Sequence, residues 1–547
     1  MEKPPGVSRR QALALVSTAI GGMLLSACGP TAPQSAQTQV STLQPMATGA
    51  SSSSAANATP GAASQPAGQP RSGGRLRFAM ATDLDQGVEA ARLGNAYTPS
   101  VFMMFDTLTA YDAQRKPHPL LAESWDWATD NKTLKLNLRK GVTFHSGREL
   151  TSDDVKYNVL RVREPAHMQL GGMSAWYTID TPDKYTVILN SDQPRPLAFD
   201  FLEYLNITDK DLAESQDAKT KAGGTGPFKL VEWVSGDHIS FTRNTSYWQS
   251  GKPYLDEVNV AIVKDPQAMS LQLDSGALDA IYTPPLQNAG RWQQDPSFQV
   301  SVDDPNGYFF TAAVNVAMPP FDNKTVRQAF NYAIDRKRFA DTILLKLGGP
   351  GQDLPWPAGA PADEPPKQQK YAFDLDKARS LLAEAGASNL SFDLTFLTIP
   401  PELGQLAQIV ASDLDKIGVK LNLVPLETPA YLARTAAHDF QITLQNALFS
   451  HMEPGTMFNL SGLYRPAPQG TTGFGSDQYT QLIAASQKEP DLARRKQVFS
   501  DLNDLFLDEC FVMPLALQPV YIVARSNVAN VKWRINQAPM FAEMWLQ

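Results

Sequence analysis

The feature that most constrains this 547-residue chain is a stretch at residues 29–70 that contains no charged side chain. It consists mainly of Ser, Thr, Ala, Pro, Gln and Gly and shows no hydrophobic periodicity. Such a segment buries too little apolar surface to offset the loss of chain entropy, so residues 29–72 are predicted to form a flexible linker. The folded body then begins near Gly73 and is longer than one hydrophobic core usually serves, so at least two lobes are expected.

The first 28 residues have the layout of an export signal. Arg9 and Arg10 precede an apolar run, Ala12–Leu25, which is too short for a comfortable membrane span. The segment 8–11 resembles a twin-arginine signal, and Leu25–Cys28 (LSAC) resembles the bacterial lipobox, whose cysteine receives diacylglycerol. Residues 1–28 are therefore predicted to be a lipoprotein signal peptide, with the mature protein outside the cytoplasm and anchored to the cell membrane by lipid at Cys28. The alternative is a short anchor helix with an incidental cysteine.

The net charge of the chain indicates which binding partners are disfavoured. The whole chain has a net charge of −8, and removal of residues 1–28 leaves 45 basic and 55 acidic residues. An acidic body disfavours nucleic acid and anionic lipid as partners. Cys510 is the only other cysteine, so no intramolecular disulfide is expected once Cys28 carries lipid, and burial is the default for the Cys510 thiol.

Both strand and helix patterns occur in the body. Alternating apolar residues predict strands at Arg75–Met80, Leu134–Leu138 and Tyr185–Leu189. Helices are predicted after the capping box Thr151–Asp154, over Ala378–Ala385 with a stop at Gly386, and over Leu406–Leu414. The fold class is therefore α/β or mixed α+β.

Several motifs occur in a fixed order along the body: Pro119–Trp125 (PLLAESW), Leu138–Gly147 (LRKGVTFHSG), Asp153–Tyr157 (DDVKY), Gly224–Phe228 (GTGPF) and Ala333–Arg336 (AIDR). The series resembles the extracellular solute-binding proteins, family 5, of ABC importers, which include dipeptide-, oligopeptide- and nickel-binding proteins. The resemblance runs from about Gly73 to the C-terminus.

This resemblance implies a two-lobe periplasmic-binding-protein-like fold (type II, cluster C-like) with an extra subdomain in the first lobe. The first lobe would take residues 73–285 and 516–547, with the subdomain at about 101–222, and the second lobe would take 286–515. The solute would be captured between the lobes, whose closure is favoured by contacts with both. The protein would act as a monomer that delivers the solute to the transmembrane subunits of an ABC permease.

One segment departs from the family's peptide-binding pattern. Within Asn446–Pro454 (NALFSHMEP), Ser450 stands where peptide binders place an aspartate for the α-ammonium group, and Ala447 replaces a tryptophan. A buried ammonium group needs a counter-charge, which Glu453 could supply. Alternatively, Glu453 only caps a helix that begins at Pro454.

Other candidate ligand contacts are residues in probable loops or crossing segments, together with His451 of the departing segment. They are Tyr97, Tyr282, Tyr308, Phe309 and Asn315. Large aromatic residues also dominate hydrophobic cores, so each of the aromatic candidates has core packing as its alternative.

No catalytic constellation is evident. The six histidines share no metal-ligand spacing, and the chain has no Gly-x-Ser-x-Gly elbow or P-loop. The sequence therefore predicts a binding protein without enzymatic activity, cofactor or resident metal. A peptide-like or oligopeptide solute is favoured, with an oligosaccharide as the alternative and a metal chelate less favoured. A surface hydrolase and a receptor for unfolded chains are the rival classes.

Overall fold

The structure is a computed structural model that describes residues 68–84, 99–112, 114–164, 168–215, 217–218, 220–303, 308–448 and 453–547. All of these residues belong to one unit, which spans Gln65–Gln547. Among them, no helix is long and apolar enough to cross a membrane.

A seven-stranded mixed sheet organises the first lobe. Its central strand, Arg75–Met80, lies parallel to Glu257–Ile262 on one side and to Ala280–Tyr282 on the other. Side chains of the central strand alternate between exposed and buried before ending in a buried run, which confirms the predicted half-buried strand. In spatial order the strands are Phe298–Val302, Tyr521–Arg525, Ala280–Tyr282, Arg75–Met80, Glu257–Ile262, His238–Arg243 and Phe228–Val234.

A six-stranded mixed sheet organises the second lobe. Its strand Tyr308–Val314 pairs antiparallel with Ile442–Leu448 and with Val512–Leu517. In spatial order the strands are Gly349–Pro350, Val512–Leu517, Tyr308–Val314, Ile442–Leu448, Ser391–Leu397 and Lys420–Leu426.

The subdomain is built on a four-stranded antiparallel sheet with its own hydrophobic core, whose buried residues run from Leu108 to Ile207. Its strands are, in spatial order, Ala122–Trp127, Thr133–Leu138, Thr186–Ser191 and Tyr177–Asp183. Two further strand pairs are Thr109–Tyr111 with Pro117–Pro119, and Val528–Ala529 with Trp545–Leu546.

The three helices that the sequence predicts are present as Ser152–Arg161, Leu375–Glu384 and Glu402–Asp415. Thr151 and Asp154 form the predicted capping box, and Gly386 follows the helix Leu375–Glu384 in the left-handed conformation. The α-helices are Val101–Met104, Ser152–Arg161, Met168–Ser174, Ala198–Tyr204, Lys210–Ala213, Pro266–Asp274, Leu286–Gln294, Lys324–Ala333, Arg336–Thr342, Leu375–Glu384, Glu402–Asp415, Thr428–Ala436, Met457–Leu460, Asp477–Ser486 and Leu492–Glu509. Short 3₁₀ turns cover Pro365–Lys367, Pro454–Thr456 and Phe541–Glu543.

The chain passes between the two large sheets twice. It leaves the seven-stranded sheet after Val302, enters the six-stranded sheet at Tyr308, and returns between Leu517 and Tyr521. The helix Leu286–Gln294, which the sequence assigns to the second lobe, contacts the first-sheet strand Phe298–Val302 and donates hydrogen bonds to the helix Pro266–Asp274. The lobe boundaries at residues 285 and 515 therefore stay predictions. Cys510 is fully buried, as the sequence predicts.

Candidate functional site

Two buried carboxyl groups stand out on the helix Ala198–Tyr204 (AFDFLEY). All seven residues of this helix are buried, and Asp200 and Glu203 are both 0% exposed. The flanking apolar side chains, Phe199, Phe201 and Leu202, belong to the subdomain core and fix the helix against it. Because ionised carboxylates are rarely buried without partners, the surroundings of these two acids indicate what the helix does.

Asp200 joins the subdomain to the second lobe. Its Oδ1 accepts a hydrogen bond from the Tyr111 hydroxyl at 2.7 Å. Its Oδ2 accepts from the backbone N–H of Glu453 at 3.1 Å and from the hydroxyl of Thr456. Glu453 precedes and Thr456 ends the 3₁₀ turn that leads into the second-lobe helix Met457–Leu460, so these bonds hold two parts of the molecule together.

Glu453 is paired within its own lobe. Nη2 of Arg495 donates to Oε1 of Glu453 at 2.9 Å, and Nη1 of Arg495 donates to the carbonyl of Glu489 at 2.8 Å. Arg495 is 5% exposed, and Oε2 of Glu453 is hidden from solvent without a hydrogen-bond partner in the described part of the chain. Glu453 is also the N-cap residue of its 3₁₀ turn, but its side chain makes no capping bond. Arg495 therefore offsets the charge that Glu453 could offer a cationic ligand.

Burial shifts the titration of all three acids toward the neutral form. Burial raises the pKa of Asp200 to about 7, and the nearby Glu453 carboxylate adds to the rise. Burial also raises the pKa of Glu203 to about 8, although Arg534 opposes the change. The pKa of Glu453 is raised by burial as well, in part offset by Arg495. Asp200 and Glu203 therefore hold a proton at neutral pH more readily than exposed acids do, because desolvation disfavours the charged form.

Arg534, from the C-terminal part of the first lobe, is a cation whose charge acts on Glu203. Its guanidinium lies over the ring of Phe102, 4.8 Å from the ring centroid, and its charge acts on both Asp106 and Glu203. First lobe, subdomain and second lobe thus contribute Arg534, Glu203 and Glu453 to one charged region. Within the described residues, no group of three or more His, Cys, Asp or Glu side chains could hold a metal ion.

Of the residues predicted from sequence, Tyr282 and Tyr308 lie near the passages between the sheets. Tyr282 ends the strand Ala280–Tyr282, and its ring lies 6.3 Å from that of Trp533. Tyr308 begins the strand Tyr308–Val314. Burial raises the pKa of Tyr282, with further contributions from Tyr308 and Asp303, so the structure brings these three side chains together.

Phe309 is packed in a hydrophobic core, and the side chain of Asn315 is hydrogen-bonded to the backbone. Phe309 is 0% exposed in the second-lobe core. The Asn315 amide donates to the carbonyl of His438 at 2.9 Å and accepts from the backbone N–H of Ala317 at 3.1 Å. Cys28, Tyr97, Ser450 and His451 lie outside the described residues. No ligand role is tested for any of these residues, and their assignments stay predictions.

Sequence reasoning missed Asp200, Glu203, Arg495 and Arg534. A signal for the first two was present, since two acids three residues apart interrupt an otherwise apolar and aromatic helix. Such an arrangement places both carboxyl groups on one helix face that is also apolar. Arg495 and Arg534 carry no comparable local signal.

Protonation of Asp200 should make stability fall as the pH rises. Its folded pKa of about 7 exceeds the ordinary aspartate value of 3.8, so the folded chain holds a proton that the unfolded chain releases. The stabilisation is complete below about pH 4 and is lost as the pH rises through about 7. Between pH 6.5 and 8, the free energy of unfolding should fall by about 1 kcal/mol more in the wild type than in Asp200→Asn, measured by urea denaturation.

The matched control is Asp192→Asn, whose side chain is 77% exposed and which should keep the wild-type slope. Buried His145, whose pKa burial lowers to about 4, contributes with the opposite sign, but it is present in all three proteins and its contribution cancels when the slopes are compared. Equal slopes in the wild type and Asp200→Asn would mean that Asp200 does not titrate in this range.

Comparison with solved structures identifies the fold. The chain matches the periplasmic binding protein DppA of Helicobacter pylori, solved with the peptide STSA, with a TM-score of 0.75 and 23% identity, covering 87% of this chain and 98% of that one. At this identity the likeness shows the fold, which is that of a two-lobe solute-binding protein.

The sequence comparison is more specific. Residues 116–467 match the model of the bacterial extracellular solute-binding proteins, family 5, and the chain belongs to that family. It is 29% identical to heme-binding protein A of Haemophilus influenzae over 62% of this chain and 68% of that protein. It is 24% identical to the dipeptide-binding protein of Escherichia coli K12 over 80% of this chain and 87% of that protein. Its relatives are substrate-binding proteins of ABC transporters, and the chain is a binding protein, not an enzyme.

Proposed function

We propose that this protein is an extracytoplasmic lipoprotein of an ABC importer that captures a peptide-like solute between its lobes. It is anchored by lipid on Cys28, acts as a monomer, and delivers the solute to the transmembrane subunits of the permease. The export signal and lipobox-like segment of residues 1–28 support the anchor. Family membership supports the transport role.

The observation that carries the peptide assignment is the pair of buried acids Asp200 and Glu203 at the meeting of the subdomain and the second lobe. A peptide's ammonium group requires a counter-charge when it leaves water, whereas a neutral sugar does not. In this proposal, acids from the subdomain supply the counter-charge that the aspartate supplies in relatives, where this chain has Ser450. Relatives named for dipeptides and a solved neighbour with a bound peptide agree with this cargo.

An oligosaccharide is the alternative solute. Ser450 in place of an aspartate and the pairing of Glu453 with Arg495 both reduce the charge offered to a cationic ligand. The raised pKa values of Asp200 and Glu203 act in the same direction. A nickel chelate ranks third because no metal-binding cluster occurs among the described residues.

A thermal-shift screen of the mature body, starting at Arg71, tests the proposal. The probes are di- to pentapeptides, oligosaccharides, nickel chelates and heme, each added in excess. A ligand at 100 times its dissociation constant stabilises the folded state by about 2.7 kcal/mol, which gives a clear rise in Tm. We expect peptides to raise Tm. Heme is among the probes because one relative is named a heme-binding protein. A rise with sugars alone, or with none of the peptides, would contradict the peptide assignment.

A further inference from the structure

A turn near the C-terminus carries several buried side-chain nitrogen and oxygen atoms that have no hydrogen-bond partner in the described part of the chain. The turn Arg534–Gln537 is closed by hydrogen bonds from the Arg534 N–H to the Ala538 carbonyl at 2.8 Å and from the Gln537 N–H to the Arg534 carbonyl at 3.0 Å. Asn536 is 1% exposed and Gln537 is 3% exposed. Within the described residues, Nη1 of Arg534, Nδ2 of Asn536, and both Nε2 and Oε1 of Gln537 are hidden from solvent and make no hydrogen bond.

Glu203, on the helix Ala198–Tyr204 of the subdomain, also has side-chain atoms without hydrogen-bond partners among the described residues. Both of its carboxyl oxygens are hidden and lack a hydrogen bond of standard geometry in the described chain, and the backbone of Tyr111 compensates only in part. The charge of Arg534 acts on Glu203, which places the two side chains in one electrostatic neighbourhood. Hidden polar groups without partners cost free energy, so native proteins rarely keep several together unless a ligand or ordered water satisfies them.

The turn is also connected to the region where the parts of the molecule meet. Trp533, just before the turn, contacts Tyr282. Glu203 lies one helical turn from Asp200, whose bonds to Glu453 and Thr456 connect the subdomain to the second lobe. If the lobes separate to admit a solute, those bonds must break, and binding of a solute to the hidden atoms requires that they then become accessible.

The chemistry of these groups selects a solute with two opposite charges. Arg534, Asn536 and Gln537 offer three NH2 nitrogens that have no hydrogen-bond partner among the described residues. Such donors suit a carboxylate, and a guanidinium binds carboxylates with particular strength. Glu203 and Oε1 of Gln537 offer acceptors, which suit an ammonium group.

We propose that the Arg534–Gln537 turn and Glu203 form a subsite for the charged groups of a short zwitterionic peptide. The turn holds the carboxylate and Glu203 holds the ammonium group. This inference rests on the proposed function, because it specifies how that solute is recognised. It differs from the sequence-based assignment to residues 450–453, since all its groups come from the first lobe and the subdomain.

The test measures calorimetric affinities of the mature protein for Ala-Ala, N-acetyl-Ala-Ala, Ala-Ala-amide and the doubly blocked dipeptide. Arg534→Gln should weaken binding of the two carboxylate-bearing ligands about 10- to 100-fold and leave the two amides within about twofold. Glu203→Gln should show the complementary pattern, with losses confined to the two ligands that carry a free ammonium group. The matched controls are Lys532→Gln on the exposed part of the same segment and Glu123→Gln on the exposed face of the subdomain sheet, and both should match the wild type.

Each outcome separates recognition from folding. Equal loss for all four ligands in Arg534→Gln would assign the turn a structural role and overturn the inference, as would unchanged affinity for every ligand. If the wild type binds none of the dipeptides, the peptide cargo itself fails. If it binds them and the variants do not discriminate, the cargo stands and only the subsite falls.

Discussion

Replacing Arg495 with methionine should lower the free energy of unfolding by about 3 kcal/mol or more at pH 7. The change removes the ion pair between Arg495 and Glu453, and breaking a buried pair by deleting one partner leaves an uncompensated buried charge. It also removes the Arg495 hydrogen bonds to the carbonyls of Glu489 and Pro490. Urea denaturation at pH 7 measures the effect.

Two variants sharpen this experiment. Arg494→Met, next along the same helix, removes a pair between Arg494 and Glu489 in which Arg494 is 68% exposed, and should cost less than about 1 kcal/mol. Adding Glu453→Gln to Arg495→Met should recover part of the lost stability, because a neutral amide is cheaper to bury than a carboxylate. Equal losses in the single and double variants would show that packing, not the unpaired charge, causes the effect.

Local patterns predicted much of the fold because they depend on near neighbours. The alternation over Arg75–Met80 and the capping box of Thr151 and Asp154 each specify an element within a few residues, and the structure has both. The GTGPF and HSG motifs predicted the family and, through it, the two-lobe fold. The contacts that join the two motifs, from His145 to Gly224 and Gly226, are visible only in the structure.

The candidate site was far less predictable. Asp200 and Glu453 are 253 residues apart, and no periodic pattern encodes a bond between them. The helix Ala198–Tyr204 did carry a signal, two acids in an apolar run, but a sequence does not say what faces a buried acid. For Glu453 the sequence suggested a free counter-charge, whereas Arg495, 42 residues further on, pairs with it. Charges in a folded chain are balanced by partners that the topology selects.

Gly224→Ala, in the GTGPF turn, should destabilise the protein by about 3 kcal/mol or more. A Cβ atom at Gly224 would overlap the carbonyl oxygen of Met104, and one at Gly226 would lie 2.5 Å from the carbonyl carbon of Met104. Backbone atoms have no rotamer through which to retreat, so the turn itself would have to move. The Gly226 N–H bond to the Met104 carbonyl, at 2.9 Å, shows how closely the two segments approach.

Displacing this turn would also disturb the contacts that converge on it. His145 donates its backbone N–H to the Gly224 carbonyl at 2.8 Å, and its Nε2 lies 3.0 Å from the Gly226 carbonyl, while the Asn244 amide donates to that same carbonyl at 2.9 Å. Three separated segments of the chain, at Met104, His145 and Asn244, therefore contact these two glycines. The matched control is Gly172→Ala, at a helical position where a Cβ would meet nothing within 4 Å. This variant should raise the free energy of unfolding by up to about 1 kcal/mol. Thermal unfolding of both variants decides the matter, since similar Tm values would mean that close approach at Gly224 does not limit the fold.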